Sequence, residues 1–422
     1  MSLKKLSWYW RIVIGLIACI GIAFIAVEIW AVRTLEYAQR MVDDRDWLNA
    51  RDALRTYLSL KPHDDVARMM LAKSLINDNS RPIVDVAQET LSTLAKIDNK
   101  SSEAVSARVT EGRVSLLLLL KPGRAEEYFI EALRLDPDRT EAHALLWKLY
   151  ELTNRWFLID PHFWSVYQHT EPSRRAYILR DWYMSEFAPA SAVADLERQL
   201  GLLQPDQLPD AQTEFHRYEA FLTNEPDRAV NYACLVRWYQ THKITARISE
   251  YLNMGESLPA GPTDPFLIAT HVGISLESGD LVDAENTFRH WPDSDHGYEY
   301  YKYRGIIEDQ ILHLDQAARE SYERAIEFPA GRCDWQTCHR LSNVLMRLGA
   351  TDEAAKRRQQ SKETELLMEP DVHKPLRLAL VKPNDPDSVE QMSEFYERLG
   401  RTRESQAWKE LRALAPNSVQ QP

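Results

Sequence analysis

Residues 125–151 read AEEYFIEALRLDPDRTEAHALLWKLYE, and this stretch decides the fold. Ala125, Phe129 and Ala132 recur every three or four residues, so they share one face of a helix. Pro137 cannot continue that helix, and a second apolar helical pattern begins after Thr140. The stretch therefore predicts two helices joined by a short turn.

The same small-then-aromatic pattern recurs along the chain. The small residues are Ala50, Ala87, Ala125, Ala246, Ala284, Ala318 and Ala354. Their spacing is close to the unit of about 34 residues, with A-x3-F and a following Pro, that is typical of tetratricopeptide repeats (TPRs). The sequence resembles the TPR family from about residue 33 to 416. This resemblance implies an all-α, TPR-like α-solenoid, a right-handed superhelix of antiparallel helix pairs that binds a protein or peptide in its concave groove.

Composition agrees with an all-α chain and excludes some functions. Glycine is scarce, at 14 of 422 residues, and the net charge is -12. Nucleic-acid binding depends largely on Lys and Arg that neutralise phosphates, so we expect no nucleic-acid partner. Four cysteines are too few for a fold built on disulfides.

An apolar N-terminal segment predicts a membrane anchor. Residues 12–27 contain no charged side chain, and the apolar character continues to residue 32. Roughly 20 helical residues cross a bilayer, so we predict a transmembrane helix over 12–32 after an N-terminal tail over 1–11. A cleaved signal peptide and a lipoprotein signal at Cys19 are the alternatives.

Charge near the anchor bears on its orientation. Lys4, Lys5 and Arg11 precede it, which favours a cytoplasmic N-terminus. We expect a single-pass protein of the bacterial inner membrane with its repeats on the periplasmic side. The first repeat helix (31–44) follows without Gly or Pro, so the membrane helix is predicted to run directly into the repeats.

The repeats are interrupted twice. We predict TPR block 1 at 33–139, a degenerate aromatic-rich middle at 140–227, TPR block 2 at 228–368, a Pro-rich connection at 369–386 and a C-terminal capping helix pair at 387–416. The middle, taken to residue 257, contains seven helical segments, so either one helix is unpaired or the array breaks near Pro205 and Pro209. Its aromatic side chains are expected mostly in the core, although a ligand-binding or enzymatic module there stays open.

The resemblance also implies which side chains face the groove. In the TPR family, positions two, five, nine and twelve of the first helix of each pair line the concave side. Counting on this basis selects Arg237, Tyr300, Tyr303, Gln336 and Arg340 as partner-binding candidates. Tyr and Arg are favoured at binding hot spots.

The run Cys333-Asp-Trp-Gln-Thr-Cys338-His339 reads C-x4-C-H, two residues longer than the haem attachment signature. A c-type haem on Cys333 and Cys338 with His339 as ligand is one hypothesis; ordinary repeat packing is the other. No nucleophile elbow, phosphate-binding loop or zinc motif is present in the sequence, so we expect no enzyme, no metal and no other cofactor. The sequence favours a membrane-anchored scaffold or adaptor, with assembly of envelope complexes as the task that the resemblance implies.

Overall fold

The computed structural model describes residues 3–203 and 210–414, and every regular element in these ranges is helical. The first six helices are α1 (Leu3–Asp43), α2 (Trp47–Leu60), α3 (Asp65–Ile76), α4 (Ile83–Leu94), α5 (Ala104–Leu117) and α6 (Pro122–Leu135). The next seven are α7 (Thr140–Leu152), α8 (Asp160–His169), α9 (Arg175–Phe187), α10 (Pro189–Gln199), α11 (Ala211–Asn224), α12 (Ala229–Thr241) and α13 (Ile248–Glu256). The remaining ten are α14 (Pro265–Ser278), α15 (Leu281–Phe288), α16 (Tyr298–Gln310), α17 (Asp315–Ala325), α18 (Pro329–Cys333), α19 (Trp335–Arg347), α20 (Thr351–Leu367), α21 (Pro370–Ala379), α22 (Pro386–Arg398) and α23 (Thr402–Leu414).

The chain divides into two compact units. The first comprises Met1–Leu119 with Arg124–Arg139, and the second comprises Leu120–Gly123 with Thr140–Pro422.

Helix α1 is one continuous helix of 41 residues, which agrees with the prediction that the apolar segment runs directly into the repeats. It begins at Leu3, so residues 3–11 are helical where a tail is predicted. Between Ile12 and Val27 the large apolar side chains are exposed, whereas Ala31 and Ala38 are buried. In the described part of the chain, α1 is the one helix long and apolar enough to cross a membrane.

The first unit is built from helix pairs. Helix α1 packs on α2, α2 on α3, and α3 on α4. The small residues Ala50, Ala87 and Ala125 are fully buried. A methyl group at Gly112 of α5 would overlap the Phe129 ring of α6, which shows how closely paired helices approach. These pairs confirm the predicted all-α, TPR-like fold.

The second unit repeats this arrangement in the pairs α12–α13, α14–α15, α16–α17, α19–α20 and α22–α23. Ala284, Ala318 and Ala354 are buried as predicted. Ala246 is not: it is exposed in the turn before α13, which begins at Ile248. Gly255 replaces it as the residue of close approach, against the side chains of Tyr232 and Leu267.

The middle contains the seven predicted helices, α7 to α13. Helices α7 and α8, α9 and α10, and α12 and α13 pair, whereas α11 packs mainly on α12 and is the odd helix. The predicted break at Pro205 and Pro209 lies outside the described residues. Further on, the predicted Pro-rich connection contains α21, a helix that tolerates Pro375 in its interior.

Candidate partner-binding groove

One segment of the chain packs across several helices of the second unit. Residues 153–187, called here the inner segment, include a 3₁₀ turn (Trp156–Leu158), α8 and α9. The carbonyl of Thr153 accepts from the Cys234 thiol of α12 at 3.3 Å. The ring centroids of Phe157 and of Phe266 in α14 are 6.2 Å apart.

The inner segment continues past the later helices in the same way. Trp156 and Phe157 pack against a buried cluster that includes Tyr298 of α16 and Ala330 of α18. The Tyr183 hydroxyl lies 2.8 Å from His373 Nδ1 of α21, and Arg403 of α23 stacks over Trp164 at 3.8 Å. The inner segment therefore contacts helices from α12 to α23.

The aromatic side chains of the middle are mostly core, as expected. Phe163 stacks on Trp182 with ring centroids 4.5 Å apart and meets Trp147 edge-on at 5.6 Å. The buried members are Trp147, Tyr150, Phe163, Trp164, Tyr167, Trp182 and Tyr183. These rings hold α7, α8 and α9 together.

A cluster of buried charges lies at the end of the inner segment. Arg401, only 1% exposed, forms ion pairs with Glu186 of α9 and Glu404 of α23. Burial raises the pKa of Glu186, and the Arg401 guanidinium opposes that rise. Sequence reasoning missed this cluster because Glu186 and Arg401 are 215 residues apart and neither belongs to a local motif.

Arg237, the first candidate, belongs to an internal polar network. Its guanidinium pairs with Glu299 of α16 at 2.9 Å and donates to the Thr270 hydroxyl of α14 at 2.7 Å. It also stacks over Phe266 at 4.0 Å. Lys302 continues the network by pairing with Asp334 at 3.0 Å.

Tyr300 packs between helices, whereas Tyr303 also lies close enough to Glu299, Lys302 and Arg237 to interact electrostatically with all three. Tyr300 stacks on His296 and Phe288, with centroids 4.1 and 5.4 Å apart. Tyr303 packs with the clusters of α14–α15 and α16–α17. The ion pairs with Arg237 and Asp334 are made by Glu299 and Lys302, the residues that precede Tyr300 and Tyr303. A methyl group at Gly305 would overlap the Tyr322 ring, so α16 and α17 approach closely there.

Gln336 and Arg340 lie together on one stripe of α19, which Asn343 extends. Gln336 is exposed, and Arg340 is half-buried beside the Tyr322 hydroxyl. The paired helix α20 runs antiparallel: Ser361 donates to the Trp335 carbonyl at 2.8 Å. Lys362 of α20 is therefore level with Gln336.

A groove runs along α20 next to this stripe. Arg358 donates to the Asn343 side chain at 3.1 Å across the two helices. The groove has a volume of about 390 Å³ and is lined by Met346, Thr351, Ala354, Ala355, Arg358, Gln359 and Lys362. We call these residues the α19–α20 groove.

The α19–α20 groove combines an apolar floor with cations. Met346 and Ala355 supply apolar surface, and the exposed side chains of Arg358 and Lys362 supply positive charge. The neighbouring carboxylates Glu353 and Glu363 pair with Arg319 and Arg398. A segment with carboxylates and a small apolar side chain complements this surface.

The three haem candidates have separate surroundings. The Cys333 thiol lies 3.4 Å from a Glu186 oxygen, whereas the Cys338 thiol donates to the Arg357 carbonyl of α20 at 3.3 Å. His339 is exposed. Burial raises the pKa of both thiols. The two thiols thus face different neighbours, and haem attachment stays a prediction without support from this arrangement.

No group of three or more His, Cys, Asp and Glu side chains suited to a metal ion occurs among the residues described. Two histidine side chains are in contact: the Nδ1 atoms of His143 and His162 are 2.8 Å apart. Burial, with His143 nearby, lowers the pKa of His162 to about 4.

Comparison with known proteins adds solved structures of low similarity. No protein-family description and no curated protein matches the chain. The APC/C hetero-tetramer Cut9–Hcn1 is 14% identical with a TM-score of 0.40, over 90% of this chain and 80% of that one. A tetratricopeptide repeat protein from Parabacteroides merdae is 13% identical with a TM-score of 0.30, over 75% of this chain and 98% of that one. The human IFIT1 dimer with PPP-AAAA is 13% identical with a TM-score of 0.30, over 90% and 89% of the two chains.

Proposed function

We propose that this protein is a membrane-anchored helical-repeat scaffold that binds an acidic segment of a protein partner in the α19–α20 groove. The observation that carries the proposal is helix α1. Its first part exposes only apolar side chains from Ile12 to Val27, and its last part is the first helix of the repeats.

The membrane part of the proposal follows from the cost of exposing α1 to water. Fifteen large apolar side chains from Trp8 to Val32 are at least 42% exposed, and hydrophobic burial contributes about 25 cal/mol per Å². A lipid environment removes that cost. Lys4, Lys5 and Arg11 support a cytoplasmic N-terminus, with the repeats in the bacterial periplasm.

The choice of partner follows from charge. The chain carries a net charge of -12, yet the α19–α20 groove presents Arg358 and Lys362. The α19–α20 groove is one of the cationic surfaces of this acidic protein, so it would attract the carboxylates of a partner. Assembly of envelope complexes is the task that we propose for such a scaffold, because it would hold a partner close to the membrane.

Two measurements test the anchor. Full-length protein should stay in the membrane pellet after alkaline carbonate extraction, and a C-terminal alkaline phosphatase fusion should be active. Release of the protein by carbonate would overturn the anchor, and an inactive but stable phosphatase fusion would overturn the periplasmic orientation.

A binding measurement tests the groove. The probe is a fluorescent peptide of alternating Glu and Leu, added to detergent-solubilised full-length protein. Arg358→Glu with Lys362→Glu should weaken binding at least tenfold, a change of about 1.4 kcal/mol. Lys356→Glu is the matched control, because Lys356 is exposed on the opposite side of α20. Equal affinity in all three proteins would exclude the α19–α20 groove as the site.

A further inference from the structure

The uncharged run of α1 ends at Glu28, which marks a level along the helix axis. Arg11 and Glu28 are the charged residues that bound the uncharged run, and Trp8 lies one turn before Arg11. A hydrocarbon core about 30 Å thick takes roughly 20 helical residues, which is the length from Trp8 to Val27 if Arg11 snorkels to the interface. Glu28 then lies at the boundary between hydrocarbon and headgroups.

The end of helix α2 lies at the same level along α1 as Glu28. Helix α2 is antiparallel to α1, and Ala31 and Ala38 of α1 are buried in one cluster with Leu54 and Tyr57 of α2. Immediately after α2 ends, the Lys61 ammonium forms an ion pair with Glu28. The turn between α2 and α3 (61–64) is therefore level with the end of the apolar run.

A second turn lies on the same edge of the first unit. The Arg68 guanidinium donates to the carbonyl of Pro62 in the first turn, and to the carbonyl of Lys96 at 3.0 Å. Lys96 belongs to the turn between α4 and α5 (95–103). We call the two turns together the basal edge.

The basal edge carries the lysines Lys61, Lys96 and Lys100 beside the acids Asp64, Asp98 and Glu103. Asp64 caps α3, and Asp98 accepts from the Lys100 backbone N–H, so these two carboxylates already have partners within the protein. Lys96, Lys100 and His63 are exposed. Lysines near an anionic bilayer are attracted to it within a Debye length.

We infer that the first unit docks on the lipid headgroup layer through the basal edge. The inference rests on the proposed membrane anchoring and adds to it a second contact that fixes the orientation of the first unit. Because the last part of α1 packs on α2 and the helix is continuous with the apolar run, the unit cannot swing on a flexible tether.

Depth-dependent quenching tests the docking. The full-length chain is placed in nanodiscs of phosphatidylcholine and phosphatidylglycerol that contain headgroup-nitroxide lipids. A fluorescent amino acid at position 63 or 100 should be quenched several-fold more than one at position 80. Ser80 is exposed beyond the other end of α3, which spans about 18 Å. Equal quenching at 63 and 80 would overturn the docking.

A charge variant and an extraction control complete the test. With the probe at position 63, Lys96→Glu with Lys100→Glu should lower the quenching, whereas Lys73→Glu on α3 should not. An unchanged signal in the double variant would show that the lysines do not hold the edge on the headgroups. If carbonate releases the protein, the proposed anchoring fails; if the protein is retained but position 63 is unquenched, only the docking fails.

Discussion

The two units use the same helix pairs but differ in what packs against them. In the first, α1 to α6 meet through small residues and aromatic rings, as at Gly112 and Phe129. In the second, the inner segment also lies along the helices from α12 to α23 and ends in the buried charges around Arg401. Helix pairs of one kind can therefore form either a simple stack or a unit in which a further segment of the chain packs against the pairs.

The largest expected effect concerns Arg401. Arg401→Met leaves Glu186 and Glu404 buried without their cation, and we expect the second unit to lose about 3–5 kcal/mol of stability. Hydrogen exchange of peptides from α9 and α23 measures this loss.

Arg398→Met is the control for Arg401→Met. Arg398 pairs with Glu363 where both side chains are more than 40% exposed, so its loss should cost about 0–1 kcal/mol. Similar losses in both variants would mean that the Arg401 cluster does not hold the inner segment in place.

One buried group in each unit should make the free energy of unfolding depend on pH, with opposite signs. In the first, burial raises the pKa of Glu111 from its usual 4.5 to about 7, against the effect of Arg108. Between these values the folded state binds more protons than the unfolded state. Glu111 should therefore lower the free energy of unfolding by roughly 2–3 kcal/mol as pH rises from 4.5 to 7.

For His162 in the second unit the sign is reversed. His162 has a folded pKa of about 4 and an unfolded value of 6.5, so the unfolded state binds more protons between them. His162 should therefore lower the free energy of unfolding by roughly 2–3 kcal/mol as pH drops from 6.5 to 4. The difference in hydrogen exchange between the wild type and Glu111→Gln, and between the wild type and His162→Gln, isolates the contribution of each group as a function of pH. Differences that change with pH in the same direction for both variants would contradict the assignment.

The smallest expected effect is the loss of stability when a methyl group is added at a packed glycine, and it should be equal in the two units. Gly112→Ala and Gly305→Ala place a methyl group against Phe129 and Tyr322, and each should cost about 1–3 kcal/mol through overpacking. Gly15→Ala is the control, because no heavy atom lies within 4 Å of the position of its added methyl. Thermal unfolding of the three variants compares them, and a loss at only one of the two packed glycines would show that the helix pairs differ.

Sequence patterns were most informative where the determining contacts are local. Ala125 and Phe129 are one helical turn apart, and their burial follows from the period of a helix. The ion pairs of Glu299 with Arg237 and of Lys302 with Asp334 show the limit of this approach: adjacent helical side chains point about 100° apart, and no local pattern records which partner from another helix each one meets. The prediction that Ala246 packs between paired helices was wrong for a related reason. The preceding turn holds Lys243 in the left-handed region, and α13 begins only after Ala246.

The sequence by itself determined the helical class, the repeat of small and aromatic residues, and the continuous passage of an apolar segment into the first repeat. These depend on periodicity and on the absence of helix breakers, which neighbouring residues set. Only the tertiary structure decided that the inner segment packs across several helices of the second unit, that Arg237 pairs with Glu299, and that Gln336 lies level with Lys362 beside a groove. Such contacts join residues far apart in the chain, where packing and the cost of burying charge select the partner and no local pattern records the choice.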